Sequence, residues 1–299
     1  RLSISAIILT YNEEKNIEQC LRSIYDWVDE IFIVDSFSTD KTLEIARKYT
    51  DKIYQHKWEN YAKQYIWALE NLPIRNEWVL RLDADERWTE DGLKELSRII
   101  FIDSYDGINV RIKIFFMGKW MRFGGTYPNY FLRIFRKSKS KVENRWMDEH
   151  IIVNGNVYNS SIDVLEQNYD RMENISLWVN KHNNYATREA IDYLILKYNI
   201  GKIDTVGNLT GHKTERKRWL KENFYYKLPL FIRAFLYYFY RYFFKLGFLD
   251  GTEGFIWHFL QGLWYRFLVD VKIYQIEKKA KSENKDIKTV ISELYGYNL

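Results

Sequence analysis

The first hundred residues alternate between two hydrophobic patterns. Residues 3–9 form a nearly continuous apolar run, which is typical of a strand that is buried on both faces. Apolar side chains then recur at positions 17, 20, 21 and 24, the spacing of an amphipathic helix. The alternation continues, with further strands predicted at 30–34, 52–55 and 77–82 and further helices around 43–46 and at 62–72 and 89–100. This order predicts an α/β fold, Rossmann-like, with a mostly parallel sheet and helices on both of its faces.

The pattern changes after about residue 105. Strands are predicted at 106–116, 129–136, 151–153 and 163–167, with a glycine-rich stretch at 118–125. From residue 171 the pattern is helical to the end, apart from a break near 201–211. We therefore expect two domains, an α/β domain at 1–170 and a helical region at 171–299.

A short polar segment follows each of three predicted strands. Their residues are Thr10, Tyr11, Asn12 and Glu13 after the first, Asp35 after the second, and Asp83, Ala84 and Asp85 after a later one. Ligands of parallel sheets bind at the carboxyl ends of the strands, so these groups mark the expected site. Two carboxylates in a D-x-D arrangement provide the oxygen ligands that a hard divalent cation requires. The plainer alternative is an acidic turn that caps the next helix.

Other polar residues complete the candidate site. Asp35 could accept a hydrogen bond from a nucleobase or a ribose hydroxyl. Lys63 lies at the start of a helix, where a cation is unfavourable unless an anion is close, and this favours a phosphate contact. Asp148 and Glu149 form a second acidic focus that could supply a general base. On these residues alone, an exposed charged turn is the commoner explanation.

Composition adds two constraints. The chain has 299 residues, a formal net charge of +5 and a single cysteine, Cys20, which excludes a disulfide framework. Aromatic residues make up 18% of the chain, and 14 of the 30 residues at 219–248 are Phe, Tyr or Trp. The longest uncharged run in that segment, 234–240, is too short to cross a bilayer, which requires about 20 apolar residues.

The same segment predicts an interfacial helix. At 100° per residue, Arg233, Arg241 and Lys245 fall within one third of the helix circumference. A basic stripe beside aromatic residues is typical of helices that lie on anionic membranes. The alternative is a core helix with snorkelling cations. No nucleic-acid-binding motif is found, so we expect no nucleic-acid partner.

The motifs together resemble a known family. The segments at 6–13, 33–40 and 82–86 are similar to those of the family 2 inverting glycosyltransferases with a GT-A fold. The likeness is nearest to the bacterial lipopolysaccharide-core β-1,4-glucosyltransferase-like branch. It extends through 124–128, 132–136, the Asp148–Glu149 pair and 246–251.

The resemblance implies a nucleotide-sugar donor, a divalent metal (Mn²⁺ or Mg²⁺) and inversion at the anomeric carbon. The implied metal ligand is Asp85, and the implied base is Glu149, with Asp148 as the alternative. The implied donor-binding residues are Thr10, Tyr11, Asn12, Glu13, Asp35, Lys63, Asp83 and Ala84. Ser36 stands where many members have a second Asp, and Lys63-Gln64 stands where this branch often has Gln-Lys.

We therefore expect a hexosyltransferase that uses a UDP-sugar. Its acceptor would be a lipid-linked, lipopolysaccharide or other cell-surface glycan, and its place the cytoplasmic face of the cell membrane, bound peripherally. A homo-oligomer is left open. The alternatives are a nucleotidyltransferase of related fold and a non-catalytic membrane-binding scaffold.

Overall fold

The computed structural model describes residues 1–143, 150–200 and 213–297, and these divide into two units. The sheet unit comprises Arg1–Arg122, Thr126–Glu143 and residues 150–174. The helical unit comprises Phe123–Gly125 together with residues 175–200 and 213–297. The predicted domain boundary between residues 170 and 171 remains a prediction.

The sheet unit contains the alternating elements that the hydrophobic pattern predicts. Its strands are β1 (Leu2–Thr10), β2 (Val28–Asp35), β3 (Ile53–Gln55), β4 (Trp78–Asp83), β5 (Glu86–Trp88), β6 (Gly107–Phe116), β7 (Lys119–Trp120), β8 (Tyr130–Arg136), β9 (Ser140–Val142), β10 (Ile151–Val153) and β11 (Val157–Glu166). Its helices are α1 (Ile17–Ile24), α2 (Thr42–Ala46), α3 (Tyr61–Asn71), α4 (Glu90–Ile102) and α5 (Tyr169–Glu173), with a 3₁₀ turn at Lys137–Lys139.

The main sheet has the order β3-β2-β1-β4-β8-β6-β11-β5, and β7 pairs with β6. The first four strands in this order are parallel, and β8 runs antiparallel to both β4 and β6. Strand β11 is parallel to β6, whereas β5 is antiparallel to β11. The carboxyl ends of β1, β2, β4 and β6 therefore lie along one edge of the sheet.

Alternate side chains of β1 enter two different cores. Ile4 and Ile8 pack with α1 and α4, through residues such as Leu21 and Leu96. Ile7 belongs to the opposite core, which contains Tyr65 of α3. Helices thus cover both faces of the sheet, as the near-continuous apolar strands require. The α/β fold class predicted from the sequence is confirmed.

The helical unit has its own core. Its helices are α6 (Ile175–Tyr198), α7 (Lys213–Asn223), α8 (Ile232–Phe239), α9 (Gly251–Trp257), α10 (Tyr265–Glu283) and α11 (Ile287–Tyr295). Two π-helical turns, Tyr240–Phe244 and His258–Trp264, continue α8 and α9, and 3₁₀ turns occupy Tyr225–Lys227 and Gly247–Asp250. Apolar residues of α6, α10 and α11, including Ile191, Ile273 and Ile291, form the core.

Candidate functional site

The register of the parallel strands brings the three predicted clusters together. Thr10, the last residue of β1, pairs with Asp35, the last residue of β2. On the other side of β1, Leu9 pairs with Asp83 at the end of β4. The segments that begin at Thr10, Asp35 and Asp83 therefore leave neighbouring strands at one edge, where a ligand of such a sheet binds.

Asp35 is fully buried and organises the loop between β2 and α2. Its carboxylate accepts hydrogen bonds from Thr10 Oγ1 (3.0 Å), Ser38 N (2.9 Å), Ser38 Oγ (2.5 Å) and Gln55 Nε2 (3.2 Å). A buried carboxylate requires such donors, since an unpaired one is strongly disfavoured. In this structure Asp35 thus fixes the backbone around the site by accepting from protein donors.

The loop after β1 is fastened to the loop after β2. Asn12 N donates to Ser38 Oγ (2.9 Å), and Thr39 N donates to Asn12 Oδ1 (2.8 Å). Glu13 N donates to Thr42 Oγ1 (2.7 Å). These bonds hold the two polar loops in one rigid arrangement at the strand edge.

Two aromatic side chains of these loops remain in solvent. Tyr11 is 59% exposed and Phe37 is 54% exposed. Phe37 has a φ of 62° and Asn12 a φ of 52°, a conformation that costs energy for residues other than glycine. Exposed rings on strained, hydrogen-bonded loops are suited to contact with a planar ligand.

Lys63 and its neighbour Gln64 have different environments. Lys63 is half-exposed, its ammonium group pairs with Glu59, and its backbone N–H is capped by Asn60 Oδ1 (2.8 Å). Gln64 is fully buried, where its Nε2 donates to Ser36 Oγ (3.1 Å) and its Oε1 lies 2.7 Å from His56 Nδ1. Gln64, which sequence reasoning did not assign, therefore joins the start of α3 to the residue after Asp35.

Arg133 holds the first carboxylate of the D-x-D motif. Its guanidinium lies 3.0 Å from Asp83 Oδ2 and also donates to Glu86, whose side chain is almost fully buried. Burial raises the pKa of the Glu86 carboxyl, and the positive charge of Arg133 opposes that shift. Asp83 N additionally donates to Glu86 Oε2 (3.2 Å). The orientation of Asp83 is thus set by an Arg on β8 and a Glu on β5.

Asp85 is held by residues near α5. Its Oδ2 accepts from Arg171 Nη2 (2.5 Å) and from Asn168 Nδ2 (3.2 Å), and its backbone oxygen accepts from Gln167 N (2.9 Å). Asn168 also caps α5 by accepting from Arg171 N (2.9 Å). Ala84, between the two carboxylates, is buried against the main core.

The donor atoms of this turn fit a divalent cation that is shared with a phosphate ligand. Asp83 and Asp85 supply carboxylate oxygens, and a magnesium site uses one or two carboxylates together with substrate phosphates. Within residues 1–143, 150–200 and 213–297, no group of three or more His, Cys, Asp or Glu side chains forms a metal cage. A cation here would therefore complete its coordination with oxygens of the ligand.

Several supporting residues escaped the sequence analysis. Arg133, Glu86, Asn168 and Arg171 contact the D-x-D motif from positions up to 86 residues away. Glu86 follows the motif directly and Arg133 lies in a segment that resembles the family, so those signals were present. Asn168 and Arg171 carried none. The predicted base, Glu149 or Asp148, lies outside the described residues.

The predicted membrane residues do not share one environment. Arg233 is 1% exposed and Arg241 is 8% exposed, each with hydrogen-bonding partners inside the helical unit, whereas Lys245 is exposed. This corrects the expectation that Arg233 and Arg241 contact lipid. The two arginines of the predicted stripe thus face inward, whereas Lys245 faces solvent. Among the described helices, none combines the length and apolarity that crossing a bilayer requires.

Comparison with known proteins finds a family match and similar sequences. Residues 5–148 match the family described as "Glycosyl transferase family 2". Over 298 residues the chain is 27% identical to an "Uncharacterized glycosyltransferase" of Rickettsia bellii, and the alignment covers 96% of this chain and 92% of that protein. It is 28% identical over 284 residues to the "Lipopolysaccharide core biosynthesis glycosyltransferase LpsC" of Rhizobium meliloti, with 92% and 93% covered.

A solved structure that matches part of the chain is glucosyl-3-phosphoglycerate synthase from Mycobacterium tuberculosis in complex with Mn²⁺, uridine-diphosphate and glucosyl-3-phosphoglycerate. Its sequence identity to this chain is 19%, and the TM-score is 0.33. The similarity covers 37% of this chain and 44% of that protein, which is less than half of its length.

Proposed function

Residues 5–148 match glycosyl transferase family 2, and from this premise we propose the reaction of the chain. It transfers a hexose from a UDP-sugar to a hydroxyl group of a saccharide, with inversion at the anomeric carbon. The acceptor is a glycan of the lipopolysaccharide core or another lipid-linked glycan, in keeping with the name of the Rhizobium meliloti relative. One observation carries the proposal: the polar residues after β1, β2 and β4 converge at one strand edge.

The donor would occupy this edge. The loops of Thr10–Glu13 and Asp35 would enclose the nucleoside, with the exposed ring of Tyr11 beside it. Lys63 could reach the diphosphate after it exchanges its present ion pair with Glu59. Because these loops are already hydrogen-bonded to each other, little ordering is required when the donor binds.

Asp85 and Asp83 would hold the divalent cation together with the donor diphosphate. Bound there, the cation would stabilise the negative charge that develops on the leaving nucleoside diphosphate. Arg133 and Arg171 pair with the two carboxylates and orient them before the donor arrives. The protein thus contributes a preorganised anionic turn.

The transfer step requires one base. The acceptor oxygen attacks the anomeric carbon as the bond from that carbon to the diphosphate oxygen breaks, and the hydroxyl proton moves to a carboxylate. We assign that carboxylate to Glu149, with Asp148 as the alternative. A single displacement of this kind inverts the configuration and needs no second catalytic carboxylate.

Calorimetric titration tests donor binding. UDP, GDP and CDP are each added with and without Mn²⁺ or Mg²⁺, and we expect metal-dependent binding of UDP. Asp85→Asn should weaken that binding at least about tenfold, since a charged ligand to the cation is lost. The control is Asp26→Asn, which removes an exposed carboxylate between α1 and β2, at the opposite edge of the sheet. Failure of the native protein to bind any nucleoside diphosphate with either metal would overturn the proposal.

A turnover assay tests the reaction and its base. The expected product is a nucleoside diphosphate, whereas release of pyrophosphate would indicate a nucleotidyltransferase. Glu149→Gln should leave UDP affinity unchanged and lower kcat about 100-fold or more, as loss of a general base does. Full activity in Glu149→Gln together with loss in Asp148→Asn would move the base to Asp148.

A further inference from the structure

Helix α8 and the π-helical turn that continues it have an inverted distribution of polarity. The side chains of Phe235, Phe239 and Phe243, spaced four residues apart, are each about half exposed. Arg233 and Arg241 face the interior of the helical unit. A surface helix in water normally shows the opposite arrangement, with its apolar stripe inside and its charges outside.

The buried cations are fully accommodated by the protein. Arg233 donates to Asp270 Oδ1 from Nε (2.8 Å) and from Nη2 (2.5 Å), and its guanidinium lies over the ring of Tyr193. Arg241 Nε donates to the backbone oxygen of Gly124 (2.8 Å), and its Nη1 donates to Gln261 Oε1 (2.7 Å). A surface in contact with hydrocarbon requires this arrangement, in which charged side chains face the protein interior and find hydrogen-bonding partners there.

The outward side chains form a continuous aromatic face. The rings of Phe239 and Phe243 stack with their centroids 5.5 Å apart. The ring centroid of Tyr242 lies 5.2 Å from that of Phe243 and 5.9 Å from that of Phe255. Phe244, at 80% exposure, projects furthest into solvent among these residues. The aromatic face is defined by Phe235, Phe239, Phe243, Phe244, Phe248 and Phe255. A clustered apolar surface of this kind marks a membrane or protein contact.

The charges around the aromatic face favour an anionic bilayer. Between residues 228 and 276, all described, the carboxylates are Asp250, Glu253 and Asp270, and none of them is exposed. Lys245 within that range is exposed, and so are Lys227 and Lys278 just beyond it. Within residues 228–276 the exposed charged side chain is therefore a cation, Lys245, which complements the negative potential of a membrane that contains acidic lipids.

We propose that the aromatic face docks on an anionic lipid bilayer, with its phenylalanine rings in the acyl boundary and Lys245 at the headgroups. The buried arginines hold the helix in this orientation and do not touch lipid. This surface would bring the protein to a lipid-linked acceptor, but docking does not depend on the transfer reaction. The two proposals can therefore fail separately.

Vesicle co-sedimentation without donor or metal tests the docking. We expect the native protein to bind vesicles of phosphatidylcholine and phosphatidylglycerol, and to bind pure phosphatidylcholine more weakly. Phe243→Glu/Phe244→Glu should lower the partition coefficient about 100-fold or more, because each buried Phe side chain contributes at least about a factor of ten. Lys245→Glu should lower it about fivefold, and only on the anionic vesicles.

The matched control is Phe101→Glu/Ile102→Glu. This adjacent apolar pair ends α4 in the sheet unit and is at least as exposed, so it should bind vesicles like the native protein. Circular dichroism and the thermal midpoint show that each variant is folded. Equal vesicle binding by the native protein and Phe243→Glu/Phe244→Glu would overturn the proposal.

Sedimentation velocity in the absence of lipid tests the alternative that a second copy of the chain covers the aromatic face. We expect a sedimentation coefficient that is unchanged by Phe243→Glu/Phe244→Glu. A native dimer that this variant converts to a monomer, with no vesicle binding by either form, would show that a second copy of the chain covers the aromatic face.

Discussion

The strand edge of the sheet unit and the outer face of α8 in the helical unit differ in where charge and apolar surface lie. In the sheet unit, the strands bury Ile4, Ile7 and Ile8, while the carboxylates Asp83 and Asp85 collect at the strand edge. In the helical unit, Arg233 and Asp270 lie inside and phenylalanine rings lie outside. The first arrangement is the usual result of folding in water.

The energetic costs explain why the second arrangement is informative. Removing an ion pair from water is expensive and is offset only by good geometry and additional hydrogen bonds. Leaving a phenylalanine ring in water forgoes about 1.5–3 kcal/mol of burial. Helix α8 combines a buried ion pair with exposed phenylalanine rings. Both are unfavourable in water, and the exposed rings become favourable where the helix contacts hydrocarbon. The difference between the units thus concerns the surroundings that each face meets.

The largest effect is expected when one partner of the buried ion pair between Arg233 and Asp270 is removed. Arg233→Met leaves Asp270 buried without its cation and with the N–H of Phe231 as its donor (2.7 Å), so we expect a loss of about 3–5 kcal/mol in the free energy of unfolding. Chemical denaturation followed by tryptophan fluorescence measures it. The control is Lys94→Met, which removes an exposed i,i+4 pair with Glu90 and should leave the free energy of unfolding almost unchanged. Equal effects would show that the buried pair has no special role.

A glycine in the helical unit allows a second test of how tightly that unit is packed. Gly124 has a φ of 67°, and an added Cβ would lie 2.0 Å from the ring of His258, a fully buried side chain. Burial lowers the pKa of His258 to about 3, so its ring stays neutral in this apolar packing. Gly124→Ala should therefore cost about 2–4 kcal/mol, from backbone strain and overpacking together.

The neighbouring glycine separates these two contributions. Gly125 has a φ of 73°, but nothing lies within 4 Å of an added Cβ. Gly125→Ala should cost only the strain of the left-handed backbone, about 1–2 kcal/mol. Thermal unfolding of the two variants compares them. An identical shift would mean that contact with His258 contributes nothing.

The sheet could be predicted because its signal is local. The apolar runs of β1 and β2 and the helical spacing of α1 lie within short windows, and parallel strands place their polar ends together. Strand β5 was missed because three residues are too few to show a period. The contact of Asp85 with Arg171 joins residues far apart in sequence, which no spacing rule reveals.

The error at Arg233 and Arg241 has a different cause. A helical projection places the two arginines on one side of the helix and the phenylalanine rings spaced four residues apart on the other. The structure keeps this relation for these side chains. The projection does not state which side faces the protein, because orientation depends on partners such as Asp270 and Gly124. Amphipathicity was thus predicted from sequence, and its direction required the structure.

A buried charge in the sheet unit, Glu30 of β2, allows a test by pH. Although burial opposes ionisation, hydrogen bonds from Lys52, Ser5 and Arg75 lower the pKa of Glu30 to about 2. The lowered pKa stabilises the folded state above the unfolded value of about 4.5, and this contribution is lost as the pH falls from there to about 2. Glu30→Gln should therefore cost on the order of 2–3 kcal/mol at pH 7.

Its pH dependence makes the test specific. The difference in unfolding free energy between the native protein and Glu30→Gln should be constant from pH 7 to about 5 and should shrink between pH 4.5 and 2. Urea unfolding at a series of pH values measures it, and Asp26→Asn, which removes an exposed carboxylate, should show little difference at any pH. A Glu30→Gln deficit that stays constant down to pH 2.5 would mean that its packing matters and its charge does not. The ion pairs of Glu30 with Lys52 and Arg75 would then contribute less than the pair of Arg233 with Asp270 is expected to contribute.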